Sequence, residues 1–144
     1  MTTSRPSLAT ALAEAQHVLG QANSYIPKPV SPQTHAWIDL LAFPAMLGLS
    51  AWLRKRNSAA AALVLFNALG EGTIAGITDF PPSLLPLISF RNHIRIGLLA
   101  SPMYLALAAL TPGIPWRYRR FPVYLGLVPI VLNSLSNPKN RAAH

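Results

Sequence analysis

Seven of the polar residues within the apolar stretches of this chain could form one intramembrane cluster: His35, Asp39, Asn67, Glu71, Thr78, His93 and Asn133. Histidine together with carboxylate can bind a divalent metal. Two histidines on separate helices, His35 and His93, could ligate haem iron. Glu71 in a low-dielectric interior could handle a proton. His35 and Asp39 are four positions apart, as are Asn67 and Glu71, so each pair shares one face of a helix. Catalytic signatures are missing. There is no His-Glu-x-x-His, no second histidine at ligand spacing on either helix, and only four acidic residues in the whole chain. No catalytic residue, metal or cofactor is therefore expected, and the chain is read as non-enzymatic. On this plainer reading His35 and His93 sit at the water boundary and cap their own helix starts. Asp39 and Glu71 then pair with histidine, Arg91 or Arg95.

The elements that carry these residues belong to a membrane protein. Of the 144 residues, 51% are hydrophobic and 11% charged, against about 25% charged in a soluble domain. Mean hydropathy is +0.34. With no cysteine, disulfide and thiol chemistry are excluded. A net charge of +8 would suggest nucleic acid in a soluble protein. Here the basic residues cluster between apolar runs, and aromatics are not interleaved with them in a stacking pattern, so no nucleic-acid partner is expected.

Four apolar stretches follow one another: His35 to Leu53, Ala59 to Thr78, His93 to about Thr111, and Phe121 to about Leu135. A spanning helix needs roughly 20 residues. The last stretch is short by that measure, and crossing is the preferred reading. Pro44, Pro102 and Pro129 inside the runs are tolerated in a membrane bundle. The fold class predicted is all-α: four transmembrane helices as two tandem helical hairpins, preceded by an amphipathic N-terminal helix. That helix spans about Ser7 to Ala22, with Leu8, Ala11, Leu12, Ala15 and Leu19 on one face. A proline-rich linker (Ser24 to Thr34) completes residues 1–34. The transmembrane domain is 35–136, with repeats 35–78 and 93–136, and 137–144 is a basic polar tail. The connection from Asp79 to Asn92 is apolar yet proline-rich, and is expected to lie along the membrane or dip into it. Glu71 is predicted to face the bundle interior and bond to Asp39, His35, His93, Arg91 or Arg95.

The repeat is written in the residues. "HAWIDLLAFP" (His35 to Pro44) and "HIRIGLLASP" (His93 to Pro102) share His, Ile, Leu-Leu-Ala and Pro at the same places. The second helices match more loosely, "LFNALGEG" from Leu65 against "VLNSLSNP" from Val131. Two helices per unit return the chain to its starting side, which predicts a pseudo-twofold axis along the membrane normal. This layout resembles the SPW-repeat family of small bacterial membrane proteins, whose two-helix unit carries Ser-Pro-Trp in its first helix. The corresponding triplets here are Phe43-Pro44-Ala45 and Ser101-Pro102-Met103, so only the second keeps Ser-Pro and neither keeps Trp. The resemblance implies a bacterial inner-membrane protein and carries over no activity.

The basic clusters Arg54-Lys55-Arg56 and Arg117, Arg119, Arg120 share one side and favour the cytoplasm, which leaves both termini outside. The function expected is an accessory or scaffolding subunit, with the lipid bilayer and other membrane subunits as partners. The rival is a small cofactor-, metal- or proton-handling protein built on the His/Asp/Glu cluster.

Overall fold

The computed structural model describes residues 25–80 and 84–138, together with His17 and Gln21. The predicted amphipathic helix and the basic tail lie almost wholly outside the described residues. Four helices carry the fold, α1 (Pro32–Arg54), α2 (Ser58–Gly76), α3 (Phe90–Leu110) and α4 (Trp116–Leu135), with two-residue strands β1 (Thr78–Asp79) and β2 (Ile88–Ser89) between α2 and α3. α1, α2 and α3 are long and apolar enough to cross a membrane. α4 is as long, 20 residues, but spends its first turns on Arg117, Arg119 and Arg120.

The helices begin earlier than the apolar pattern suggested. Ser31 caps α1, its hydroxyl accepting from the Thr34 N–H at 3.1 Å. Pro32 follows at the first helical position, where its missing N–H costs nothing. Ser89 caps α3 in the same way through the Asn92 N–H at 3.3 Å. His35 and His93 are thus one turn inside their helices and cap nothing. α4 starts at Trp116, not Phe121, so the fourth helix is not short. Thr78 has left α2 and pairs with Ile88 in a parallel ladder, so it does not continue the helical face of Glu71. α1, α3 and α4 run on through their internal prolines.

α1 packs mainly on α2 and α3 on α4, while α2 also touches α3 and α4. The main core holds Leu53, Val64, Tyr104 and the alanines Ala60, Ala61, Ala68 and Ala108. Small residues let helices approach closely where lipid supplies no hydrophobic drive. Gly72 serves a side chain rather than a helix: a Cβ there would lie 2.5 Å from the Phe43 ring. A second cluster, Ala36, Phe80, Phe90 and Ile94, closes the opposite end.

His35 and His93 are 58 positions apart, and the same shift relates several other positions of the chain. It takes Ser31 and Pro32 to Ser89 and Phe90, and Ser58 to Trp116, the starts of α1, α3, α2 and α4. It also takes the isolated parallel bridge Val30–Ser136 onto the β1–β2 pair Ile88–Thr78. The two basic turns meet at one end, where Asn57 Nδ2 donates to the Gly113 carbonyl at 3.1 Å. Arg119 wraps that end of α3, donating to the carbonyls of Ala108, Ala109 and Thr111.

Candidate metal centre

At the other end the two histidines meet. They are almost fully buried, at 1% and 2% exposure. Their Nε2 atoms are 3.2 Å apart. Asp39, one turn below His35, brings Oδ2 to 3.4 Å from His35 Nε2 and 3.5 Å from His93 Nε2. Phe80 and Phe90 roof the group. The Phe90 ring stands edge-on to His35 at 5.2 Å and stacks on His93 at 5.9 Å, while Phe80 stands edge-on to His93 at 5.6 Å.

The far side of each imidazole settles its tautomer. His35 Nδ1 lies 2.7 Å from Ser136 Oγ, and His93 Nδ1 lies 3.0 Å from Thr78 Oγ1. Each hydroxyl has one proton. Ser136 donates its proton to the Leu132 carbonyl at 2.7 Å, and Thr78 donates to the Ile74 carbonyl. Both carbonyls belong to the last turns of their helices, where chain ends leave acceptors unmet. The hydroxyls can then only accept, so both imidazoles donate through Nδ1. In the neutral imidazoles both Nε2 atoms are then acceptors, facing each other and a carboxylate oxygen. Asp39 Oδ2 is buried without a hydrogen-bond donor.

Three converging acceptors with nothing between them repel unless a cation joins them. A shared proton draws nitrogen and oxygen to about 2.7–2.9 Å. The sides of this triangle are 3.2, 3.4 and 3.5 Å. A tetrahedral ion with bonds of about 2.0–2.1 Å holds its ligand atoms about 3.3–3.4 Å apart. The triangle therefore has the size of one face of a zinc-type tetrahedron. The hydroxyls behind the rings supply the outer hydrogen bonds that metal-bound histidines use to fix their tautomer. A cleft of about 50 Å³ reaches His35 and Asp39 and is also lined by Glu71, enough for a water molecule.

The structure brings together four of the seven singled-out residues: His35, Asp39, His93 and Thr78. Asn67, Glu71 and Asn133 lie deeper and do not bond to the histidines. Asn67 Nδ2 donates to Met46 Sδ at 3.3 Å, and Asn133 Nδ2 donates to the Pro129 carbonyl at 2.8 Å. Glu71 does face the interior, but it makes no direct bond to Asp39, His35, His93, Arg91 or Arg95. It has no hydrogen bond or ion pair among the described residues and lines two clefts instead. Asp39 pairs with histidine, as one of the expected alternatives had it, through both His35 and His93, while Arg91 and Arg95 are exposed. Ser136 was missed altogether, although it follows Thr78 by the same 58 positions that separate the histidines. No known family, no curated protein and no solved structure matches the chain.

Proposed function

We propose that this chain is a non-enzymatic integral membrane protein that holds one divalent transition-metal ion in a His35–Asp39–His93 site, with Zn²⁺-like tetrahedral preference. The observation that carries the reading is the triangle of three bare acceptors with tetrahedral edge lengths. Charge supports it. Two neutral imidazoles, Asp39 and Glu71 with one divalent ion sum to zero, whereas two carboxylates with no arginine partner would be costly in a low dielectric. All four helices are read as spanning, and the halves as two copies of one two-helix unit of the kind the SPW-repeat resemblance implies. The three protein ligands leave an exchangeable fourth position, as sites that pass on or present a metal require.

Purified protein in detergent should bind one equivalent of Co²⁺ with the intense visible absorption of a four-coordinate ion, and Zn²⁺ should displace it. Affinity should fall as pH is lowered, because protons compete for both Nε2 atoms. His35→Ala and His93→Ala should each abolish the band while the protein still melts cooperatively. A colourless, metal-free preparation would reject the reading. Stoichiometric co-purification with another membrane protein would then favour the scaffolding role.

A further inference from the structure

A second, larger cleft of about 580 Å³ opens between α2 and α3. It is the shifted twin of the small cleft, which lies between α1 and α4. The correspondence runs through the α3 and α1 walls: His93, Ile96, Ala100 and Tyr104 line the large cleft where His35, Ile38, Ala42 and Met46 line the small one. The opposite walls differ in kind. Leu125, Val128 and Pro129 on α4 close the small cleft, and their counterparts on α2 are Asn67, Gly70 and Glu71. Ser101 stands where the first half has Phe43. At equivalent positions, bulk and apolarity have given way to space and polarity.

Two polar side chains face the large cleft from its two walls, Glu71 on α2 and Ser101 on α3. Glu71 has no partner among the described residues. Ser101 is 3% exposed, and its hydroxyl is also unpartnered. Asn67 and Tyr104 also line the cleft, their polar groups bonded to Met46 Sδ and the Leu63 carbonyl, and the rest of the walls are apolar: Phe66, Ile74, Met103 and Leu107. The volume falls within the range of small-molecule sites, about 300–1,000 Å³. A hydrocarbon tail would fill it but leave the carboxylate and the hydroxyl unmet. A ligand that meets both must donate to Glu71 and accept from Ser101, and one hydroxyl group does both.

We infer that this cleft is a binding site for a lipophilic alcohol, its hydrocarbon body against Phe66, Ile74, Met103 and Leu107 and its hydroxyl between Glu71 and Ser101. The site shares no ligand atom with the proposed metal centre, although His93 lines this cleft and Glu71 enters the charge balance of that centre.

Tritiated farnesol, a flexible uncharged isoprenoid alcohol, is the probe, with the whole protein in detergent after treatment with a chelator. Farnesol should bind saturably, one per chain, and farnesyl methyl ether, which cannot donate, should bind about tenfold less tightly, the loss of one hydrogen bond. Ser101→Phe, which imports the residue of the first half, should abolish binding. Glu71→Leu should weaken farnesol about tenfold or more and leave the ether unchanged. Equal binding of alcohol and ether, or undiminished binding in Glu71→Leu, would overturn the assignment. If Ser101→Phe does not fold, as judged by its melting curve, the alcohol–ether comparison in the unmodified protein decides alone. Farnesol binding with no Co²⁺ site, or the reverse, separates this inference from the metal reading.

Discussion

The first half places an acid one turn below its histidine; the second half has Gly97 at the equivalent position. The glycine is not idle. A Cβ there would lie 2.3 Å from Asn133 Nδ2 and 2.9 Å from its Cγ, so the amide of α4 occupies the space a side chain would need. The equivalent of Asn133 in the first half is Ala75. The halves have exchanged large and small: carboxylate and methyl in one, hydrogen and amide in the other. The shared pattern supplies a pair of inward-facing imidazoles. The departure from it supplies a single negative charge, which two symmetric acids would have doubled.

That contrast can be broken most severely at the acid. Asp39→Gly makes the halves alike and removes one of three ligands. We expect Co²⁺ affinity to drop more than about 100-fold, since the change exceeds the 10–100-fold cost of losing an outer-shell partner. The protein should still fold, as judged by detergent melting.

The outer shell tests whether the halves remain equal where they look equal. Thr78→Val and Ser136→Ala each leave one Nδ1–H without its acceptor. Each should weaken Co²⁺ binding about 10–100-fold, and the two losses should agree, because each hydroxyl serves the histidine of the other half. A large loss in one and none in the other would show that only one histidine binds the metal.

Gly97→Ala sharpens the contrast from the other side. The added methyl meets Asn133 and should destabilise the bundle by about 1–3 kcal/mol, the usual cost of overpacking. Ala75→Gly, at the position equivalent to Asn133, should cost less, about 1 kcal/mol, through helix propensity. Thermal melting in detergent compares them.

The smallest effect is expected at the caps. Asn57 accepts from the Ala60 N–H at 2.8 Å, while its counterpart Pro115 makes no side-chain cap. Asn57→Ala should cost about 1 kcal/mol, and Pro115→Ala should cost less on the capping account. A larger loss at Pro115 would mean that α4 depends on the rigid turn before it.

Much of this was legible in the residues. The repeated phrase located both histidines, and the spacing of four put Asp39 under the first. Other parts were hidden for identifiable reasons. The prolines before His35 look like helix breakers, yet Pro32 stands at the one helical position that suits it, behind a serine cap. Matching Asn67 with Asn133 by local likeness set the second helices out of step with the constant shift, and so concealed Ser136. Depth along a helix placed Glu71 level with its supposed partners but said nothing of rotation, and the rotation points it into clefts. Arg91 and Arg95 lie close to His93 in sequence, but their faces of α3 turn outward.

The crossed hydroxyls also bear on how such a chain is made. Ser136 is 101 residues downstream of His35. At about 5–20 residues per second, roughly 5–20 seconds of synthesis separate the two. Through that interval His35 lacks its acceptor, and for the first 58 residues of it Asp39 also lacks the second imidazole. Whatever receives the nascent chain has to shelter a half-finished polar cluster until translation delivers its complement, and only then can the last turn of α4 lock both halves at once.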